Sequence, residues 1–150
     1  MIRINRQTDY AIRVVLALSK HAERKRIATT DIQQEMLIPP AFLPRIVAEL
    51  ARAGLITTFP GRDGGLELAR PAEQIKLREV VEYFEGPITL SDCISGRVQC
   101  PFESKCPVRR RIAKLQSMII YELEGITFAE LAQDALEAEL IALPIFECNP

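Results

Sequence analysis

The tightest constraint on the fold lies between residues 29 and 69, where two short helical patterns run into a glycine-rich hairpin. Thr29 or Thr30 suits the N-cap of a short helix ending near Met36, and residues 37–40 form a tight connection. With Ala41 as the next N-cap, Pro44 falls at the third helical position, where its missing N–H costs little. Leu43, Ile46, Val47 and Leu50 then repeat at i, i+3, i+4 and i+7 as one apolar stripe. Phe42, Arg45, Glu49 and Arg52 take the other faces, and Gly54 closes the helix. Residues 55–59 are rich in β-branched side chains, residues 60–65 carry three glycines, and residues 66–69 alternate apolar and polar. This is strand, turn, strand. Two short helices before such a hairpin make a winged helix-turn-helix, whose second helix enters a DNA major groove while the wing reaches an adjacent groove. The same architecture can also serve protein contacts.

Elements on either side extend the pattern. Residues 5–22 read as a first helix with Ala11, Val14, Val15 and Leu18 inside, Asp9 in its first turn, and Arg6, Arg13 and Lys20 off the stripe. Residues 74–85 read as a fourth helix burying Ile75, Val80, Val81 and Phe84 and stopped by Gly86. After Pro107, Val108, Ile112, Leu115, Ile119 and Leu123 recur up to Gly125, with Met118 and Ile120 widening the apolar surface. A helix of about 17 residues this apolar is expected to pair with a second copy of the chain. Thr127 with Glu130 forms a capping box for one more helix, running to about Ala142 and ended by Pro144. The fold expected is therefore mostly α with a small β wing. Residues 1–86 form the winged domain, 87–107 a cysteine-rich loop, and 107–150 the dimerisation helix and C-terminal helix.

That loop carries Cys93, Cys100 and Cys106 spaced C-x6-C-x5-C, with Gly96 and Pro101 among them and no apolar periodicity. Pro107 is well placed to open a helix just behind the last cysteine. A helix N-terminus favours negative charge and offers free N–H groups to sulfur, so the setting suits thiolates. Three thiolates can hold a metal or an iron–sulfur cluster, which normally takes a fourth ligand. The N-terminus has no signal-peptide apolar segment and no run approaches a membrane span, so a cytoplasmic protein is expected, with no membrane partner. There, clustered cysteines bind metal or sense redox state more often than they form structural disulfides.

A formal net charge of −1 hides an asymmetry. Residues 1–78 carry 13 Lys and Arg against 8 Asp and Glu; residues 79–150 carry 6 against 12. A basic N-terminal half suggests a polyanionic partner. No glycine-rich phosphate loop follows a strand, and His21, the single histidine, has no acid–base partner in sequence, so an enzyme is not expected.

Taken together, residues 8–11 (Thr8, Asp9, Tyr10, Ala11), the segment from Phe42 and Leu43 through Ala53, Gly54, Leu55 and Ile56, the wing residues 61–65 and the cysteine triplet resemble the IscR/NsrR family of bacterial winged-helix regulators. The likeness covers about residues 3–135. It implies a homodimer on palindromic double-stranded DNA, a repressor whose operator affinity is set by a [2Fe–2S] or [4Fe–4S] cluster reporting nitric oxide, redox state or iron supply. It implies Cys93, Cys100 and Cys106 as cluster ligands. The IscR branch has a histidine ligand three residues past the last cysteine, where this chain has Arg109. In the nitric-oxide-sensing branch an aspartate near the start of the first helix reaches the cluster from the other subunit, and Asp9 matches it. Cys148 or an external small ligand are the alternatives. Pro44 stands where IscR has a base-reading glutamate, which turns attention to Arg45, since arginine pairs bidentately with guanine. Arg62 with Gly61 on the wing, Ala41 and Phe42 at the helix start, and Arg3 and Arg6 as phosphate contacts complete the expected DNA face. Zinc binding or a thiol–disulfide switch at the same cysteines is the competing use.

Overall fold

The computed structural model describes residues 3–97 and 99–141. Seven α-helices and a two-stranded sheet follow one another among them: α1 Arg6–Lys20, α2 Thr29–Glu35, α3 Leu43–Arg52, β1 Ile56–Phe59, β2 Gly65–Leu68, α4 Leu77–Glu85, α5 Asp92–Ser95, α6 Pro107–Gly125 and α7 Phe128–Ile141. This is the winged helix-turn-helix with a long helix behind it, mostly α with a small β wing.

Helix α1 is the axis of the core. Asn5 caps it, its side-chain oxygen accepting from the N–H groups of Gln7 at 2.8 Å and Thr8 at 3.1 Å. Ala11, Val14, Val15, Ala17 and Leu18 are buried along one side. They meet α3 through Leu43, Ile46 and Leu50, and α4 through Val80. Glu85, at the end of α4, accepts from the Asn5 N–H at 2.7 Å and from the buried Thr8 hydroxyl, tying the start of α1 to the end of α4.

The second helix begins one residue earlier than the threonines suggest. Ala28 is its N-cap, with no side-chain cap, and Thr29 and Thr30 are its first helical residues. The cause lies outside the helix: Ile27 pairs with Leu66 in an antiparallel bridge, with N–H···O distances of 3.0 and 2.8 Å, which leaves Ala28 extended and ready to start the turn. The same bridge makes the wing a three-stranded edge at Leu66. Helix α3 starts one residue later than expected. Phe42, not Ala41, is its N-cap, and Pro44 stands at its second position. Phe42 packs edge-on against Tyr10 at 5.4 Å, and this contact fixes where the helix turns.

In the wing, Ile56 pairs with Leu68, and Phe59 with Gly65. A Cβ on Gly64 would meet the Phe59 carbonyl oxygen at 2.2 Å, and one on Gly65 the Ile27 carbonyl oxygen at 2.5 Å, so both positions exclude side chains.

The expected fourth helix over 74–85 is broken in two. Ala72–Gln74 forms a 3-10 turn, Ile75 is extended, and only Leu77–Glu85 is α-helical. Ile75 and Leu77 are instead hydrogen-bonded to the α6–α7 junction: Phe128 N–H donates to Ile75 at 3.0 Å and Leu77 N–H to Ile126 at 2.9 Å. Ile75 and Phe128 are fully buried there. The capping box of α7 forms, Thr127 and Glu130 exchanging bonds of 2.9 and 3.1 Å. Helix α7 then packs along α1, with Lys20 Nζ on Glu139 at 2.5 Å. Ala142, Pro144 and Cys148 lie outside the described residues. Among the described residues no helix is long and apolar enough to cross a membrane.

Candidate functional site

Two sets of side chains carry the candidate function. The first is the outer face of α3 with the wing. Ala41 and Arg45 are exposed, and together with Gln7, Phe42, Ile46, Glu49 and Phe84 they border a small hollow of about 150 Å³. Phe42 is half-buried against Tyr10, so it shapes the start of α3 more than it offers a free ring. Glu49, one turn beyond Arg45, is taken up elsewhere: it accepts from the Tyr83 hydroxyl at 2.9 Å and from Arg52 at 2.7 Å. Those two bonds hold its carboxyl below the ordinary range, Tyr83 contributing most. Arg45, in the first turn of the helix, is exposed and makes no ion pair with any described residue, although its charge helps lower the Glu49 carboxyl. Arg62 is exposed at the wing tip beside Gly61, which has φ +96°. Arg6 is exposed in the first turn of α1. Arg3 sits apart, lining a hollow with Glu85, Asp92 and Arg97, nearer the cysteine segment than the wing. Tyr83 and Glu49 were not legible as partners: they are 34 residues apart, and no local spacing links them.

The second set is the cysteine segment. Cys93 does not lie in a loop; it is on α5, a single helical turn. The reason is local: Ser91 is extended at its N-cap, and Gly96, in the left-handed region at φ +73°, ends it. The Ser91 hydroxyl lies 3.0 Å from Cys93 Sγ. Cys100 opens the following turn, accepting the Glu103 N–H at 3.0 Å. Cys106 is the N-cap of α6, with Pro107 as the first helical residue, and its Sγ accepts the Arg109 N–H at 3.4 Å. Arg109 clips the loop down, its guanidinium 2.6 Å from the Glu103 carboxylate. All three thiols are free and half-buried. Leu90 N–H donates to Gln116 of α6 at 3.0 Å, fixing the approach to α5.

Three soft sulfur donors, one accepting a backbone N–H at Cys106 and one in hydrogen-bond contact with the Ser91 hydroxyl, are of the donor type an iron–sulfur cluster takes. A single metal ion is another matter. Among the described residues no group of three or more His, Cys, Asp or Glu is gathered as one ion would need. Asp9 is not brought to the cysteines within one chain; it pairs with Arg13 at 2.8 Å, one turn along α1. His21 is engaged with Glu35 at 2.9 Å.

A winged helix-turn-helix with an exposed arginine in the first turn of its second helix, joined to a thiol-bearing segment, is an architecture that DNA-binding transcription regulators use. The family model for Rrf2, described as an iron-dependent transcriptional regulator, matches residues 4–134, and the chain belongs to this family. It is 31% identical over 133 residues to protein aau3 of Rhizobium meliloti, covering 88% of this chain and 86% of that one. It is 28% identical to the HTH-type transcriptional regulator NsrR of Oceanobacillus iheyensis, covering 95% and 96%. Among solved structures, CymR (YrzC), the global cysteine regulator of B. subtilis, superposes with a TM-score of 0.75 at 22% identity over 89% of this chain and 98% of that one. IscR of T. potens gives 0.73 at 23% identity, over 91% and 90%. The family makes the chain a regulator of transcription rather than an enzyme.

Proposed function

We propose that the chain works as a homodimer whose affinity for a palindromic operator depends on an iron–sulfur cluster held by Cys93, Cys100 and Cys106, with the partner's Asp9 as fourth ligand. The observation that carries this reading is the place of Cys106: it is both a candidate ligand and the N-cap of α6. Its sulfur already accepts a backbone N–H, so any change at that sulfur is felt at the first turn of the long helix. When bound, the cluster supplies reactivity toward nitric oxide, oxygen or iron demand. The chain's own residues do the rest. Cys106 and Arg109 hold the loop against α6, Ser91 bonds the Cys93 sulfur, and Asp9 gives up its exposed ion pair with Arg13, which costs at most about 1 kcal/mol.

On the DNA side, Arg45 reads a base edge in the major groove, since it is exposed and makes no ion pair with any described residue. Ala41 and Phe42 set the close approach of α3, Gly61 and Arg62 reach the neighbouring backbone from the wing, and Arg6 and Arg3 contact phosphates. Residues 1–86 are the DNA module, 87–107 the sensing segment, and 107–150 the dimer arm.

A second reading keeps the DNA module and uses the cysteines as a thiol–disulfide switch. What favours it is that all three thiols are free and partly accessible. Anaerobic purification separates the two. A brown protein with iron and acid-labile sulfide in stoichiometric amount, lost in Cys93→Ser, Cys100→Ser or Cys106→Ser, is expected. A colourless, iron-free protein whose thiol count falls on oxidation sinks the cluster.

A further inference from the structure

Arg45 and Glu49 stand one turn apart on α3, and both border the hollow between the start of α1, α3 and the end of α4. Opposite charges at that spacing ordinarily pair on a helix surface. Here the ion pair of Glu49 runs to Arg52 instead, although Arg45 is near enough for its charge to favour the ionised carboxyl. The cause is that both carboxylate oxygens are taken. Oε1 accepts from Arg52 at 2.7 Å, and Oε2 accepts from the Tyr83 hydroxyl at 2.9 Å.

Tyr83 comes from another helix, α4, and its place is set there. Its ring packs edge-on against Phe84 at 5.3 Å, and Phe84 in turn packs against the core. The phenol stays half-exposed with its hydroxyl turned to α3. A hydrogen bond to an ionised acceptor is about twice as strong as one between neutral groups, so the hydroxyl competes well with a surface ion pair. We propose that Tyr83 is a positioning residue for DNA reading: its hydroxyl holds the second oxygen of Glu49 and so keeps the Arg45 guanidinium free for a base edge. This rests on Arg45 as the reader. Without the hydroxyl, Oε2 turns to Arg45, and the base competes with a carboxylate on the same helix. The loss falls on base discrimination, because phosphate contacts carry no sequence information.

Tyr83→Phe removes the hydroxyl, keeps the ring and changes no charge. The probe is the best duplex selected from a randomised palindromic pool, with single-base-pair variants of it, bound at one salt concentration by the full chain as purified anaerobically. Arg45→Ala marks the base pair that Arg45 distinguishes. The readout is the ratio of affinities for the best duplex and for the one changed at that base pair, in which general charge effects cancel. Tyr83→Phe should lower this ratio by about twofold per half-site, the size of one helical ion pair. Preferences at other positions should stay as they are, and adding Glu49→Gln should restore the ratio. A ratio that does not move, a loss spread over all positions, or a loss that Glu49→Gln does not restore overturns the proposal while Arg45 remains the reader. An Arg45→Ala protein with every base preference intact overturns the reader and the role of Tyr83 together.

Discussion

The two halves of the molecule are stabilised in opposite ways. From α1 to α4 every helix buries apolar residues in one shared core, α2 through Ile32 alone, and Ala11, Val14, Leu43, Ile46, Leu50, Ile75 and Val80 are essentially inaccessible. Helix α6, as long as any other element, buries no residue at all. Val108, Leu115, Met118 and Tyr121 are each more than half exposed on it. That core is closed within one chain, with Phe128 of α7 filling it. The second half exposes apolar surface and free thiols, which the proposed second copy and bound group would cover. On the proposed function, a winged domain with a closed core and an arm with exposed apolar surface divide reading from sensing.

The largest effect expected is on assembly. Ile112→Glu with Ile119→Glu puts two charges on the seam of α6, and burying unpaired charge is prohibitive. Sedimentation should show a monomer or aggregate while amide spectra of the winged domain stay in place. A clean dimer would place the contact elsewhere. Next comes a contrast in stability. Ile46→Ala empties a fully buried site and should cost about 2–5 kcal/mol by denaturant titration. Leu115→Ala, measured on the monomeric background, should cost under about 0.5 kcal/mol, as exposed substitutions do. Equal costs would erase the distinction between the halves. Third, Arg45→Ala should lose about 1–3 kcal/mol on the best operator and relax base preference, whereas Arg62→Ala should weaken all sequences more evenly. Competition binding at fixed salt checks both, and an unchanged preference in Arg45→Ala removes it as the reader.

The smallest effect concerns the joint between the halves. Lys20, nearly buried on α1, bonds Glu35 of α2 and Glu139 of α7 at 2.8 and 2.5 Å. Burial works against its charge, yet those hydrogen bonds leave its pKa above the ordinary lysine value. Burial likewise opposes the charge of Glu35, and its bonds to Lys20 and His21 win, holding the carboxyl below its ordinary value. A depressed carboxylate contributes stability above its unfolded pKa and loses it as pH falls through the folded one. Unfolding midpoints should therefore drop below the ordinary carboxylate range, and Glu35→Gln should flatten that drop by less than about 1 kcal/mol. A slope unchanged by the substitution assigns it to other acids.

The sequence made the reader half legible because its stripes are local. The i, i+3, i+4, i+7 pattern of Leu43, Ile46, Val47 and Leu50 and the alternation of residues 66–69 each need only their own segment. Errors arose where distant backbone intervened. The Ile27–Leu66 bridge moved the cap of α2 to Ala28, and the pairing of Ile75 with Phe128 broke the fourth helix at its start. Neither partner is visible in a local window. In the cysteine segment, Pro107 opened α6 and Cys106 met a backbone N–H as the residue types suggest, but the helical turn at Cys93 depends on Ser91 and Gly96, which carry no apolar period. The arm's apolar positions were plain; what covers them does not follow from any local window of the sequence.

The coupling between the halves is tested most directly by operator affinity measured anaerobically, at one salt concentration, for the reconstituted protein and the same preparation stripped of its cluster. A ratio of about 5- to 150-fold, the range of ordinary allosteric coupling, is expected, collapsing toward unity in Cys106→Ser. Equal affinities for the two forms, with the cluster present in one by iron and sulfide content, would contradict the coupling.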